Sequence, residues 1–141
     1  MIVHWLCFSY YSTFNKEQWK NTAIYIQERE ESEDLILINA PWLELNFKYY
    51  YKGNNTINGV QTTNQLNQTF KTNQHNNLWL ILSHDKIADP NAQIKKQLDN
   101  TYQLNWQNEF ISQDLINNIS ILGQPIISDN SIKITICYYS K

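Results

Sequence analysis

Ser83, His84 and Asp85 stand in a row after the apolar run Leu78–Leu82, and they are the side chains of this chain that most readily suggest chemistry. A serine can attack, a histidine can take its proton near neutral pH, and an aspartate can orient the histidine. Adjacent side chains seldom point at one another, however, and no G-x-S-x-G elbow holds the serine at a strained turn. A polar loop that satisfies the strand end and caps the next element is therefore the favoured reading, and no residue is assigned as catalytic. A second group is aromatic. Trp42, Tyr49, Tyr50 and Tyr51 offer flat surface for stacking on a sugar ring, although such a cluster after a buried strand more commonly forms core and interface.

Other chemistries find little support. His4, His75 and His84 are far apart and fit no zinc spacing, and the acidic run Glu30, Glu31, Glu33, Asp34 reads as a solvated loop rather than a metal site. No metal is expected. Gly53, Gly59 and Gly123 are isolated, so neither the dinucleotide fingerprint nor the phosphate-binding loop exists, and no cofactor is expected. Cys7 and Cys137 lie at opposite ends without ligand spacing and read as two unpaired small apolar residues in preference to a disulfide. With 42% hydrophobic and 17% charged residues and a net charge of -2, the chain is neither of disordered composition nor basic enough to suggest a nucleic-acid partner.

A chain of 141 residues suits one domain, taken as 14–141. Leu35–Ile38 and Leu78–Leu82 are unbroken apolar runs of strand length, which fits strands covered on both faces in a parallel sheet. Pro41 ends the first strand near Asn39, and Trp42, Leu45, Tyr49 and Tyr50 recur at helical spacing, predicting a helix that lays this face on the sheet and closes at Gly53. Asn15 with Gln18, and Phe14 with Trp19, mark an earlier helix start whose buried face is Trp19, Ala23 and Ile26. Residues 57–61 form a weak strand, and 62–77 read mostly as loop with Leu66 and Phe70 fastening one helical turn. Asp89 and Pro90 open a helix to about Tyr102 with Ile94 and Leu98 inward. Leu104, Trp106 and Phe110 suggest a strand, and Gly123 and Pro125 punctuate the segment after it. The last strand alternates Ile132, Ile134, Ile136 and Tyr138 against Lys133, Thr135, Cys137 and Tyr139, one face covered and one wetter, as suits an edge or antiparallel strand closing an otherwise parallel sheet.

The predicted fold is α/β: a three-layer Rossmann-like domain with a mostly parallel sheet and an antiparallel C-terminal edge strand. In open sheets of this kind ligands sit beyond the carboxyl ends of the strands, which nominates Asn39, Trp42, Ser83, His84 and Asp85 for one crevice, with Tyr49 and Tyr50 as stacking surface.

Met1–Tyr11 is apolar and aromatic, but only about half the ~20 residues of a membrane-spanning helix, and it lacks the pattern of a secretory signal. Segment 1–13 is then either a docking element on the core or the trailing end of a membrane helix, whose interface Trp and Tyr residues favour.

The ordered set QWKNTAIYIQ, DLILINAPW, FKYYYKG and LWLILSHD, followed by a helix and a terminal strand ending in aromatic residues, resembles the soluble C-terminal domain of polytopic membrane glycosyltransferases of family thirty-nine type. These are relatives of protein mannosyltransferases and of lipid A aminoarabinose transferase. The resemblance runs from about Lys16 to Tyr139, and its motifs are distinctive as a series though weak singly. It implies a domain on the outer, periplasmic face of the cytoplasmic membrane, anchored through the transmembrane part of its parent, with Met1–Tyr11 as the remnant of the last membrane helix. Sugar in such enzymes comes from a polyprenyl-phosphate donor, and the catalytic acids sit in an early loop outside the matched region. The resemblance thus implies a non-catalytic domain that aids recognition of a glycan or lipid-linked acceptor. Two alternatives stay open: a free-standing small α/β hydrolase-like enzyme using Ser83, His84 and Asp85, and an interaction module that docks through its aromatic N-terminus.

Overall fold

An all-apolar strand can bury every side chain only if both its faces are covered and both its edges are paired. In the computed structural model, which describes residues 18–72, 75–111 and 133–141, the two apolar runs meet that demand together. β1 (Leu35–Asn39) and β3 (Asn77–Leu82) are parallel neighbours, paired from Leu35 opposite Leu78 to Asn39 opposite Leu82. β2 (Thr56–Gly59) adds in parallel on the far side of β1. β5 (Lys133–Ser140) pairs antiparallel with β3, and β4 (Gln103–Ile111) pairs antiparallel with β5. The result is an α/β fold on a five-stranded mixed open sheet of order β2-β1-β3-β5-β4, with a parallel core and an antiparallel edge. Expectations for His4, Cys7, Met1–Tyr11, the Asn15 cap with its Phe14 staple, the Gly123–Pro125 segment and Ile132 lie outside the described residues.

Alternate strand residues feed two apolar clusters, as a period of two requires. On one face Ile36, Ile38, Trp79, Ile81, Ile134 and Ile136 pack with Trp19, Ala23 and Ile26 of α1 (18–29) and Phe47 of α2 (Glu44–Tyr50). On the other, Leu35, Leu37, Leu80, Cys137 and Tyr139 pack with Leu66 of α3 (Thr63–Thr72) and Ile94 and Leu98 of α5 (Gln93–Thr101). Each such aliphatic side chain, fully buried, contributes about 1.5–3 kcal/mol relative to leaving it exposed.

Several expectations need correction. The C-terminal strand is not the edge: β4 lies outside it, and Thr135, Cys137 and Tyr139 are buried like Ile134 and Ile136. Their polarity was misleading because they are satisfied in place. The Tyr139 hydroxyl donates to Asp99 Oδ1 at 2.7 Å on α5, and Cys137 Sγ to Gln107 Oε1 at 3.6 Å on β4. The edge itself breaks register between Leu104 and Trp106, an irregularity of the kind that blunts an edge strand.

Residues 63–72, expected mostly as loop, form a ten-residue helix. Gln65 N–H donates to Thr62 Oγ1 at 3.2 Å while Gln65 Oε1 accepts from Thr62 N–H at 3.2 Å. That is a reciprocal capping box, and it was present in the sequence as Thr62-x-x-Gln65. The helix after Asp89 begins at Gln93, not at Pro90, because Asp85–Ala88 first forms a short helix of its own, α4. Finally, the 3-10 turn Pro41–Leu43 sets the phase of α2 so that Phe47 and Tyr51 face inward, while Trp42, Leu45 and Tyr49 are 52%, 76% and 70% exposed. Gly53 does not close α2, which ends at Tyr50; a Cβ there would collide with the Tyr51 hydroxyl and Glu30 Oε1.

Trp79, fully buried, donates its indole N–H to Asp34 Oδ2 at 2.9 Å, and the same oxygen accepts from Glu31 N–H at 3.0 Å. Trp79→Phe removes a bond to a buried carboxylate and should lower the unfolding free energy by about 1.5–3 kcal/mol in urea titration; a loss below about 0.5 kcal/mol would contradict this packing. Burial pushes the Cys137 thiol up from its ordinary 9.0 to about 11 and, with its bond to Asp99, the Tyr139 hydroxyl upward also. Both protons are held more tightly folded than unfolded, so stability is full below the unfolded thiol value and falls as pH rises through the window from 9 to 11, by up to ~1.4 kcal/mol per pH unit from the thiol. Cys137→Ala should flatten the onset of that fall, and urea midpoints that rise over the same window would refute it.

Candidate functional site at the carboxyl rim

Because β1 and β3 pair in parallel and in register, the chain leaves both strands over the same rim: Ala40 and Pro41 from one, Ser83 and His84 from the other. Three polar side chains are buried there, with Asn39 at 1%, Ser83 at 6% and Asp89 at 7% exposure. Asn39 Nδ2 donates to Asp89 Oδ2 at 3.5 Å across the rim, and Asn39 Oδ1 has no hydrogen-bond partner. A buried acceptor of this kind carries an unmet demand for a donor.

Asp89 is a residue whose full role sequence reasoning missed. It was expected to cap a helix beginning beside it; instead its two oxygens accept from Gln93 N–H at 3.0 Å and Ile94 N–H at 2.9 Å, closing the first turn of α5 from four and five residues upstream. The reach is needed because Ala92, at the cap position itself, has no side-chain acceptor and sits in the left-handed region at φ 51. His84 is left-handed too, at φ 56. Its backbone, not its ring, serves α4: the carbonyl accepts from Ile87 N–H and Ala88 N–H, both at 3.0 Å. Each left-handed non-glycine residue costs on the order of 1–2 kcal/mol, so this rim holds strain that the surrounding packing sustains.

Of the residues nominated from sequence, Asn39, Ser83, His84 and Asp85 do lie along this rim. No hydrogen bond joins the side chains of Ser83, His84 and Asp85 in the structure, so no nucleophile–base relay is assembled. Trp42 and Tyr49 lie exposed on the 3-10 turn and α2 beyond the rim, whereas Tyr50 packs half-buried against the isoleucine-face core and meets Tyr49 edge to face at 4.8 Å between ring centres.

The opposite, amino rim holds what the acidic run was not expected to build. A hollow of about 740 Å³ is lined by Glu30, Glu31, Glu33, Asp34, Asn55 and His75, among others. The Tyr51 hydroxyl donates to Glu30 Oε2 at 2.5 Å, and Asn55 Nδ2 donates to the same oxygen at 3.0 Å and to the Glu31 carbonyl at 2.9 Å. Burial first, and then the bond to Glu30, raise the Tyr51 pKa, so the hydroxyl stays a donor. The run is a loop with Glu31 and Glu33 solvated, as expected, and it is tied at its ends through Glu30 and Asp34. His75 Nδ1 donates to the Glu33 carbonyl at 2.7 Å, and its Nε2 is buried without a hydrogen-bond partner. Among the described residues no three His, Cys, Asp or Glu side chains are grouped to hold a metal ion.

Asp89→Ala removes the cap of α5 and strands the Asn39 amide. It should cost about 1–2 kcal/mol in urea or thermal unfolding; an unchanged midpoint would show that Asp89 does not hold the helix. No protein-family model, curated protein or solved structure matches this chain.

Proposed function

We propose that this chain is a non-catalytic α/β domain, three-layer and Rossmann-like, of a polyprenyl-phosphate-sugar-dependent membrane glycosyltransferase. In this reading it lies at the outer face of the cytoplasmic membrane, contacts the transmembrane part of its parent, and aids recognition of a glycan or lipid-linked acceptor. The observation that carries it is the stripe Trp42, Leu45 and Tyr49. These residues fall at spacings of three and four, on one outward face, while Phe47 and Tyr51 take the core side of the same segment. A short helix apolar on both sides has one face left to bury. Trp and Tyr flanking a Leu is the composition that favours a membrane interface, where the rings sit among headgroups.

The ordered motifs quoted above support the same reading, since DLILINAPW and FKYYYKG are the segments that build β1, the rim and this stripe. Among the described residues no helix is long and apolar enough to cross a membrane, so within them contact with a bilayer would be made by a surface. The hydrolase alternative has less behind it because its three side chains are not connected.

The test is flotation of the full chain with vesicles of phosphatidylethanolamine and phosphatidylglycerol, with and without polyprenyl phosphate. Association should fall at least fivefold in a Trp42→Ser, Leu45→Ser, Tyr49→Ser variant that keeps the wild-type melting curve, because exposed substitutions barely affect stability. Equal flotation of variant and wild type would overturn the membrane-facing role.

A further inference from the structure

A second concave surface lies away from that stripe. At the end of α1, Tyr25 and Arg29 face Trp106 of β4 and Tyr138 of β5, and with Glu31 they line a groove of about 470 Å³. The groove is shallow and open to solvent, so a ligand would lie across it with one side exposed.

Its walls are aromatic and fixed. Trp106 stacks on Tyr138 at 5.4 Å with 23° between planes, and Tyr25 meets Trp106 edge to face at 5.6 Å. Beneath them the buried Trp79 packs against both Trp106 and Tyr138. Rings braced in this way present area to a ligand with little entropy left to lose.

Its polar groups are paired in sign. Arg29 lies over the Tyr25 ring at 3.7 Å, donates to the Tyr25 carbonyl at 3.1 Å and pairs with Glu28 Oε2 at 3.4 Å through the same nitrogen, which fixes the guanidinium at the groove and leaves its other nitrogens to donate. Glu31 supplies a carboxylate. The Tyr138 hydroxyl is kept protonated by burial and by the nearby carboxylates of Asp34 and Glu31, so it serves as a donor.

This combination selects against charged ligands in both directions. An anion drawn to Arg29 would face Glu31 and the Glu28 carboxylate already paired with the guanidinium, and a cation drawn to the rings would find the Tyr25 face covered by that guanidinium. A neutral ring with C–H groups on its faces and hydroxyls on its rim meets the remaining features: the C–H groups lie against the partly exposed Trp106 and Tyr138 rings, and the hydroxyls take bonds from Arg29 and Tyr138 and give them to Glu31. We propose that the Tyr25–Arg29–Glu31–Trp106–Tyr138 groove is a binding site for a neutral hexopyranose unit. This gives a location to the glycan-recognition half of the function proposed above and rests on that half, but it is independent of the membrane-facing stripe.

The experiment is a titration of the full chain with neutral oligosaccharides of glucose, mannose, galactose and N-acetylglucosamine, read by amide and indole NMR shifts. The expected result is millimolar binding with shifts concentrated at Tyr25, Trp106 and Tyr138, weakened at least fivefold by Arg29→Met or Glu31→Gln and unchanged by Ile87→Ser, a change at a side chain 71% exposed elsewhere on the surface. Both groove variants alter exposed side chains, so their melting curves should match wild type. No shift with any of the four sugars, shifts indifferent to Arg29→Met and Glu31→Gln, or a stronger response to inorganic phosphate or spermidine than to the sugars would each overturn the assignment. Loss of sugar binding alone leaves vesicle flotation intact, whereas failure of the membrane-facing role leaves the sugar shifts intact, so the two failures are told apart.

Discussion

The structure depends on the burial of two strands that have no polar side to turn to water. Leu35–Ile38 and Leu78–Leu82 have to be covered above and below, and pairing them in parallel places helices on both faces of a shared sheet. Much of the remaining architecture answers to that demand. α1 and α2 cover the isoleucine and tryptophan face, and α3 and α5 cover the leucine face. β5 fills the remaining edge of β3 with residues that are buried on both sides despite their mixed polarity. The same parallel register brings two strand ends out over one rim, and this makes Asn39, Ser83 and Asp89 buried neighbours of strained backbone at His84 and Ala92.

What could be read from sequence followed from how strongly each signal was tied to burial. The two central strands were legible because four or five consecutive aliphatic residues allow few other solutions. The inward face of α5, Ile94 and Leu98, was legible from spacing alone, as was that of α1. The place of β5 was not: alternating Ile with Thr, Cys and Tyr looks like one wet face unless the partners of the Tyr139 hydroxyl and the Cys137 thiol are known, and those partners lie 40 and 30 residues away. The phase of α2 failed for a related reason. Trp42, Leu45 and Tyr49 have the better helical spacing, but the turn at Pro41 rotates the helix so that Phe47 and Tyr51 reach the core. In α3 the signal existed, as a Thr and a Gln three apart, and was outweighed by the polarity of the segment.

For the candidate site the pattern is similar. Asn39, Ser83, His84 and Asp85 were placed together on one rim because topology alone puts strand ends there. Side-chain roles were less accessible: Asp89 acts at a distance, His84 acts through its carbonyl, and of the nominated aromatics Trp42 and Tyr49 face solvent while Tyr50 packs on the core. The amino-rim network joining Glu30, Tyr51 and Asn55 spans up to 25 residues of sequence, and no local motif announces it. The aromatic groove joins α1 to β4 and β5, elements whose proximity follows only from the strand order. Surfaces assembled across a sheet are where function is least visible in a linear reading, and both surfaces proposed to act here are of that kind or lie beside it.

Native-state hydrogen exchange of the β1 and β3 amides tests the central constraint most directly. If these strands are interior neighbours, the amides within Leu35–Ile38 and Leu78–Leu82 exchange only through global unfolding, with an opening free energy equal to that from denaturant titration and with the same denaturant dependence. Exchange of either strand at a much lower free energy, by local fluctuation independent of denaturant, would contradict the pairing on which the rim, the stripe and the groove all rest.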